Sequence, residues 1–278
     1  MDWSKVKNIL IILFIALNIF LLVNIIDIST NDVVSKKTLN NTVKILNNNG
    51  VTVECKIPTY SQPTGTPEYT ENVLNRGVIL GKLLGNISLP SLDVTQDGNT
   101  IESSSKWIRF DGNSFEYGNS NPTESIDINS LDDILQCVRN LLKDTGIPFE
   151  RFVPDYPKLM PSSDSDVLVA LRERSDNYIL FDNSIKIIAS KDGIVSLVLS
   201  YRKLIDITQP RSITPVYQIL IKNFHNRSGT VITSIDFGFK MIKLDNETNS
   251  FVDVPVWRIM SSEGITEFYR ADNGEPID

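Results

Sequence analysis

The longest apolar run in the chain lies at its start. Residues 8–26 carry no charge and are dominated by isoleucine, leucine and phenylalanine. As a helix rising about 1.5 Å per residue, the run is about 28 Å long, close to the hydrocarbon thickness of a bilayer. Lys5 and Lys7 precede it, and Asp27 and Asp32 follow it. The positive-inside rule then predicts a cytoplasmic tail over 1–7, a transmembrane anchor over 8–26 and an extracytoplasmic remainder. Trp3 stands where an aromatic side chain anchors at the inner interface. A cleavable signal peptide is the rival reading. The run exceeds a usual signal core, however, and residues 25–30 hold no A-x-A-like site, so an uncleaved anchor is expected. Asn18 lies near the middle of the run. A polar amide at bilayer depth is costly without a partner, so Asn18 is the candidate contact to another transmembrane helix; the alternative is an amide bonded back to its own helix.

Beyond the anchor the pattern switches between periods of about 3.6 and 2. A helix is expected over 31–48, capped by Asn31 or Asp32, then a strand over 51–55. Residues 56–71 hold Pro58, Pro63, Gly65 and Pro67 among threonines and read as an exposed loop. Gly77, Gly81 and Gly85, four apart, read as a strand with turn glycines. Residues 106–117 alternate around Asp111-Gly112-Asn113, a hairpin signal. Polar residues 118–124 mark a lobe boundary. A helix over 128–145 follows, with Ile134, Leu135, Val138, Leu141 and Leu142 on one face. Strands are expected at 167–174, at 178–181 and 184–190 around Asp182-Asn183, and at 194–204, 231–244, 254–260 and 266–271, with a third helix at 213–224. Each lobe opens with a helix and continues into antiparallel strands. The fold class is therefore α+β: a single N-terminal transmembrane helix, then two similar lobes over 31–120 and 125–278.

Composition narrows the function. The chain has 278 residues, 41% of them apolar, enough for true cores. Its net charge of −7 opposes nucleic acid as a partner. Cys55 and Cys137 have a spacing that leaves a disulfide open and demands none; two small buried hydrophobes is the plainer reading. His225 is the single histidine, at a polar helix end, which removes histidine-rich metal sites and leaves little for a histidine relay. Asp164 and Asp166 lack the glycine and terminal glutamate of a calcium loop. Asp132 and Asp133 suit the first turn of a helix, facing its dipole. No nucleophile or phosphate-binding motif occurs. No catalytic residue, metal or cofactor is expected, and the chain is read as something other than an enzyme.

Particular strings carry a resemblance. Met1-Asp2-Trp3-Ser4-Lys5-Val6-Lys7 runs straight into the apolar segment. Asn177-Tyr178-Ile179-Leu180-Phe181-Asp182-Asn183-Ser184 follows later. The end holds Val254-Pro255-Val256-Trp257-Arg258-Ile259 and Phe268-Tyr269-Arg270-Ala271-Asp272-Asn273-Gly274. With these strings the chain resembles the YycI family along nearly its whole length, residues 56–99 excepted. The resemblance implies a membrane-anchored partner of an essential sensor histidine kinase of a two-component system governing cell-wall metabolism. It implies action with a YycH-like protein, in a hetero-oligomer, through transmembrane and extracytoplasmic contacts. It also implies a PepSY-like final hairpin. Trp3, Phe181, Asp182, Asn183, Pro255, Trp257, Ala271 and Gly274 are the motif residues, all structural. Arg270 departs from the small aliphatic residue expected before Ala271. An anchored extracytoplasmic ligand or peptide receptor is the alternative function.

Overall fold

The computed structural model describes residues 3, 7, 11, 13–20, 34–59, 64–70, 73–85, 93–94, 100–156, 159–163, 165–175, 177–243 and 251–277. The apolar run lies only partly among these. Residues 11 and 13–20 are helical, while 8–10, 12 and 21–26 fall outside. Among the described residues no helix is long and apolar enough to cross a membrane. The remainder is α+β, as the pattern predicts.

The chain divides into two compact units, each assembled from separated stretches. One comprises 1–64, 210–235 and 257–278; the other comprises 65–209 and 236–256. The boundary expected at 118–124 falls inside the second unit. The physical reason is strand pairing between distant parts of the chain, which no local turn signal reveals.

In the 65–209/236–256 unit, strands run in the order β9-β10-β11-β6-β5-β4-β3. These are β9 (Asp166–Arg174), β10 (Ile179–Ser190), β11 (Gly193–Ser200), β6 (Ser114–Asn119), β5 (Lys106–Asp111), β4 (Thr100–Ser103) and β3 (Asp93–Val94). All these neighbours are antiparallel. The expected hairpin closes with Phe110 opposite Phe115, and Gly112 takes φ +52° in the turn. The two strands expected at 178–181 and 184–190 form one, β10, whose register shifts between Leu180 and Ser184. There the start of β10 pairs in parallel with β13 (Val231–Lys243), Ile179 opposite Gly238. A Cβ at Gly238 would lie 2.1 Å from the Ile179 carbonyl oxygen, so only glycine allows this approach.

Two helices contribute to this unit's core: α2 (Arg76–Leu83) and α3 (Leu131–Leu142). Ile79, Leu83, Val138 and Leu142 pack with Phe115, Ile185, Ile187, Leu197 and Leu199, all essentially buried. Each such side chain contributes about 1.5–3 kcal/mol by leaving water. The Ser130 hydroxyl accepts from Asp133 N to cap α3, and Asp132 and Asp133 face its dipole as expected. The glycine-spaced stretch is a helix rather than a strand. The Asn75 side chain caps it on Val78 N, and Ile79 and Leu83, four apart, supply the buried stripe. Residues 56–71 are likewise more than a loop, because β2 (Thr64–Thr70) pairs with β12 (Lys203–Arg211).

In the other unit, α1 (Lys36–Asn48) starts at the Ser35 cap, later than expected. Asn31 and Asp32, the expected caps, lie outside the described residues. A short β1 (Thr52–Val53) pairs in parallel with the first residues of β13, Thr52 opposite Val231. The C-terminal part of β14 (Phe251–Ser261), β15 (Thr266–Arg270) and β16 (Pro276–Ile277) continue this sheet. The helix α4 (Val216–Phe224) buries Val216, Ile219, Leu220 and Phe224. Pro215 precedes its first turn, where a missing N–H costs little.

Candidate functional site

The motif residues fall into three settings. Trp3 is helical and 82% exposed. Asn18 is helical and exposed, and its Nδ2 donates to the Phe14 carbonyl at 2.9 Å. That satisfies one donor within the helix, the alternative to a contact with another helix. Around it Leu13, Phe14, Leu17 and Phe20 are each more than half exposed.

Phe181, Asp182 and Asn183 lie on β10 and build a largely buried polar node around Arg202, one of the two residues between β11 and β12 (Lys203–Arg211). Asn183 is 1% exposed. Its Oδ1 accepts from Arg202 N at 2.9 Å and its Nδ2 donates to Arg202 O at 2.7 Å. One amide side chain thus pairs with a main-chain corner as a strand would. The same Nδ2 donates to Glu173 on β9 at 2.6 Å. The Arg202 guanidinium donates twice to Asp253 on β14, at 2.7 and 2.6 Å. Such a fork is the strongest common ion-pair geometry. The Tyr69 ring on β2 covers the guanidinium at 4.1 Å. Asp182 stands 4.0 Å from Arg202 and accepts from Met241 N at 2.6 Å. Phe181 is buried, and its carbonyl accepts from Arg172, which also pairs with Asp155 at 3.0 Å.

Burial pushes the Glu173 and Asp182 carboxyls above their ordinary range. For Glu173, Asn183 and Arg151 work against the rise; for Asp182, Met241 N, Lys240 and Arg202 do. Burial also lifts the Tyr69 phenol far above its usual value, with Asp253 adding to the rise.

Pro255 is buried in β14 of the same unit. Trp257, Ala271 and Gly274 belong to the other unit, where they form a neutral closure. Trp257 is fully buried, and its Nε1 donates to the Thr214 carbonyl at 3.0 Å. Thr214 N in turn donates to the Ala271 carbonyl at 2.6 Å, and its hydroxyl to the Asp272 carbonyl at 3.2 Å. Gly274 takes φ +72° and donates to the Arg270 carbonyl at 2.8 Å. Arg270, the departure from the family pattern, forks onto Asp272 at 3.0 and 2.7 Å.

Arg202, Tyr69, Asp253 and Glu173 were missing from the sequence-derived set. One signal was available: Asp253 interrupts the otherwise apolar Val252-Asp253-Val254-Pro255-Val256. A lone carboxylate in such a run needs a buried counter-charge.

A recess of about 270 Å³ in the 65–209/236–256 unit is lined by Lys106, Asn119, Glu124 and Cys137 among others. The Cys137 thiol donates to Glu124 at 3.0 Å, and burial together with Glu124 pushes it up to about 12. It is a protonated thiol rather than a nucleophile. Cys55 and Cys137 do not form a disulfide. The His225 Nδ1 meets the Ile221 carbonyl at 2.9 Å, the plain helix-end setting. Among the described residues no cluster of metal-ligating side chains occurs; Asp164 lies outside them.

These arrangements hold strands and corners together within an α+β protein. The model of the YycI protein family matches residues 29–270, so the chain belongs to the YycI family. That family is one of regulators in a two-component system and is not an enzyme family. A crystal structure of an uncharacterised protein from Eubacterium rectale is similar in fold, with a TM-score of 0.51 at 12% identity. The likeness covers 86% of this chain and 98% of that one. No curated protein matches the chain.

Proposed function

We propose that the chain is a single-pass membrane-anchored regulator of a sensor histidine kinase controlling cell-wall metabolism. Its N-terminus is cytoplasmic and the region after residue 26 is extracytoplasmic. It works with a YycH-like protein, through contacts of the anchor helix around Asn18 and of the outer region. Family membership supports the regulatory part. The observation that carries the membrane part is the helix at 13–20, whose large apolar side chains are exposed throughout. In water such a surface is unfavourable; in lipid or against another helix it is not. Regulation then follows from differential binding: a partner that prefers one kinase state shifts the population toward it.

The test is a detergent pull-down of the full chain against a version whose residues 8–26 are replaced by an unrelated apolar helix. Loss of the kinase in the swapped version alone supports contact through the span. Retention in both moves the contact to the outer region. No kinase with either version overturns the proposal in favour of an anchored receptor, for which the recess beside Lys106 and Glu124 is the place to seek a ligand.

A further inference from the structure

The Arg202 node holds more acid than base. Two carboxylates face one guanidinium and a third reaches its backbone. Asp253 takes its edge at 2.6 and 2.7 Å, Asp182 stands at 4.0 Å, and Glu173 reaches the Arg202 backbone only through Asn183. Tyr69 occupies the face of the guanidinium. The two outlying acids are left with weak counter-charges. Asp182 faces Lys240 and the Met241 N–H from β13, against the like charge of Asp253 from β14. Glu173 is 5% exposed and meets Arg151, whose side chain is largely in solvent, at 3.6 Å. The remaining titratable neighbours are the Tyr69 and Tyr201 phenols, both raised by burial and so neutral. A carboxylate that is largely buried and whose nearest cation stands at 3.6 or 4.0 Å is costly to keep charged.

We propose that the node is an acid-strengthened latch: when pH falls, proton uptake by Glu173 and Asp182 relieves buried repulsion and fastens the β2–β12 ribbon through Tyr69 and Arg202. The geometry gives the latch its reach. Arg202 begins the path into β12, and Tyr69 is a residue of β2, so both strands of the ribbon end on the node. The sign follows from both carboxyls being raised in the folded state. Their protonated forms stabilise the fold fully below the ordinary carboxylate range, and that stabilisation is lost as pH rises through the raised values. The latch stands on the node alone; its use as a response to external acid rests on the extracytoplasmic reading above.

The test uses the full chain in detergent, comparing wild type with Glu173→Gln and Asp182→Asn. Both variants keep the acceptors that Asn183 Nδ2 and Met241 N require. Melting is followed between about pH 8 and about pH 5.5, and hydrogen exchange is read on peptides spanning 65–70 and 203–209. Variants are compared with wild type at the same pH, so intrinsic exchange rates cancel. Wild type is expected to melt higher in acid and to protect the ribbon more. Each variant is expected to melt about 2–4 °C above wild type near pH 8, with a flatter pH profile. A wild-type pH slope that persists in both variants overturns the latch. So does a ribbon whose protection ignores both pH and substitution. Neither readout involves the kinase, so failure here is separable from failure of the regulatory reading.

Discussion

The two units use motif residues in opposite ways. In one, Trp257, Thr214, Ala271 and Gly274 close on each other through neutral main-chain hydrogen bonds around a fully buried indole. In the other, Asp182 and Asn183 support a buried guanidinium shared among carboxylates. A packing closure answers mainly to volume and only weakly to pH and salt. A buried charge answers to its counter-ions and to protons. Two strings that read alike as structural motifs therefore predict different failures when altered.

The largest effect is expected at the neutral closure. Trp257→Ala removes the indole and leaves the Thr214 carbonyl without its donor, costing about 3–5 kcal/mol. Chemical denaturation measures it, and the loss should be the same at acidic and neutral pH. A strongly pH-dependent loss would erase the contrast between the units. Next comes Asp253→Ala, which leaves Arg202 with Asp182 at 4.0 Å and the Tyr69 face. The pair is mostly buried, with 17% and 11% side-chain exposure, so a cost of about 2–3 kcal/mol is expected. Asp253→Asn should recover part of it, since one acceptor remains. Equal losses for Ala and Asn would mean that the ion pair contributes little beyond packing.

Legibility in the sequence follows the same division. The α+β class, the hairpin at Asp111–Ser114 and α3 were readable because each rests on local signals: alternation, a positive-φ turn, a cap followed by an apolar stripe. The helix α2 was not, since glycines at four-residue spacing hid the Asn75 cap and the Ile79/Leu83 stripe. Nor was β2, where Gly65, Pro67 and threonines imitate a loop. Its strand character comes from β12, and the close approach of Gly65 to the Thr208 carbonyl, 1.9 Å from where a Cβ would lie, is invisible locally. The Arg202 node draws on β2, β9, β10, β14 and the β11–β12 corner, so no window of sequence contains it. Asp182 and Asn183 were singled out by resemblance alone, and their physical role appeared only with Arg202 between them and Asp253.

A smaller effect tests the backbone side of the neutral closure. Gly274 has φ +72°, and a Cβ there would lie 3.3 Å from Ile219 Cγ1. Gly274→Ala should cost about 1–2 kcal/mol, mostly from left-handed backbone strain. Ile219→Ala in the same chain removes the Cγ1 that the new Cβ meets. If strain dominates, the double variant is no more stable than the sum of the single losses. A clear rescue would instead locate the cost in the contact.

The smallest effect sharpens the comparison most, because it reverses a sign. Asp272 sits in the neutral closure's turn, and its fork with Arg270 holds its carboxyl below the usual range, with burial opposing. A depressed carboxyl stabilises the fold above its unfolded value, and that contribution is lost as pH falls through the depressed value. Glu173 and Asp182 behave oppositely. Mild acid should therefore tighten the Arg202 node, and only stronger acid should loosen the Arg270–Asp272 turn. The turn is partly open to solvent, so its share is less than about 1 kcal/mol. Asp272→Asn should leave melting near neutral pH almost unchanged and flatten the loss at the acid end. If Asp272→Asn instead flattened the profile above the ordinary carboxylate range, where the node is expected to act, the two units would not be separable by their acids.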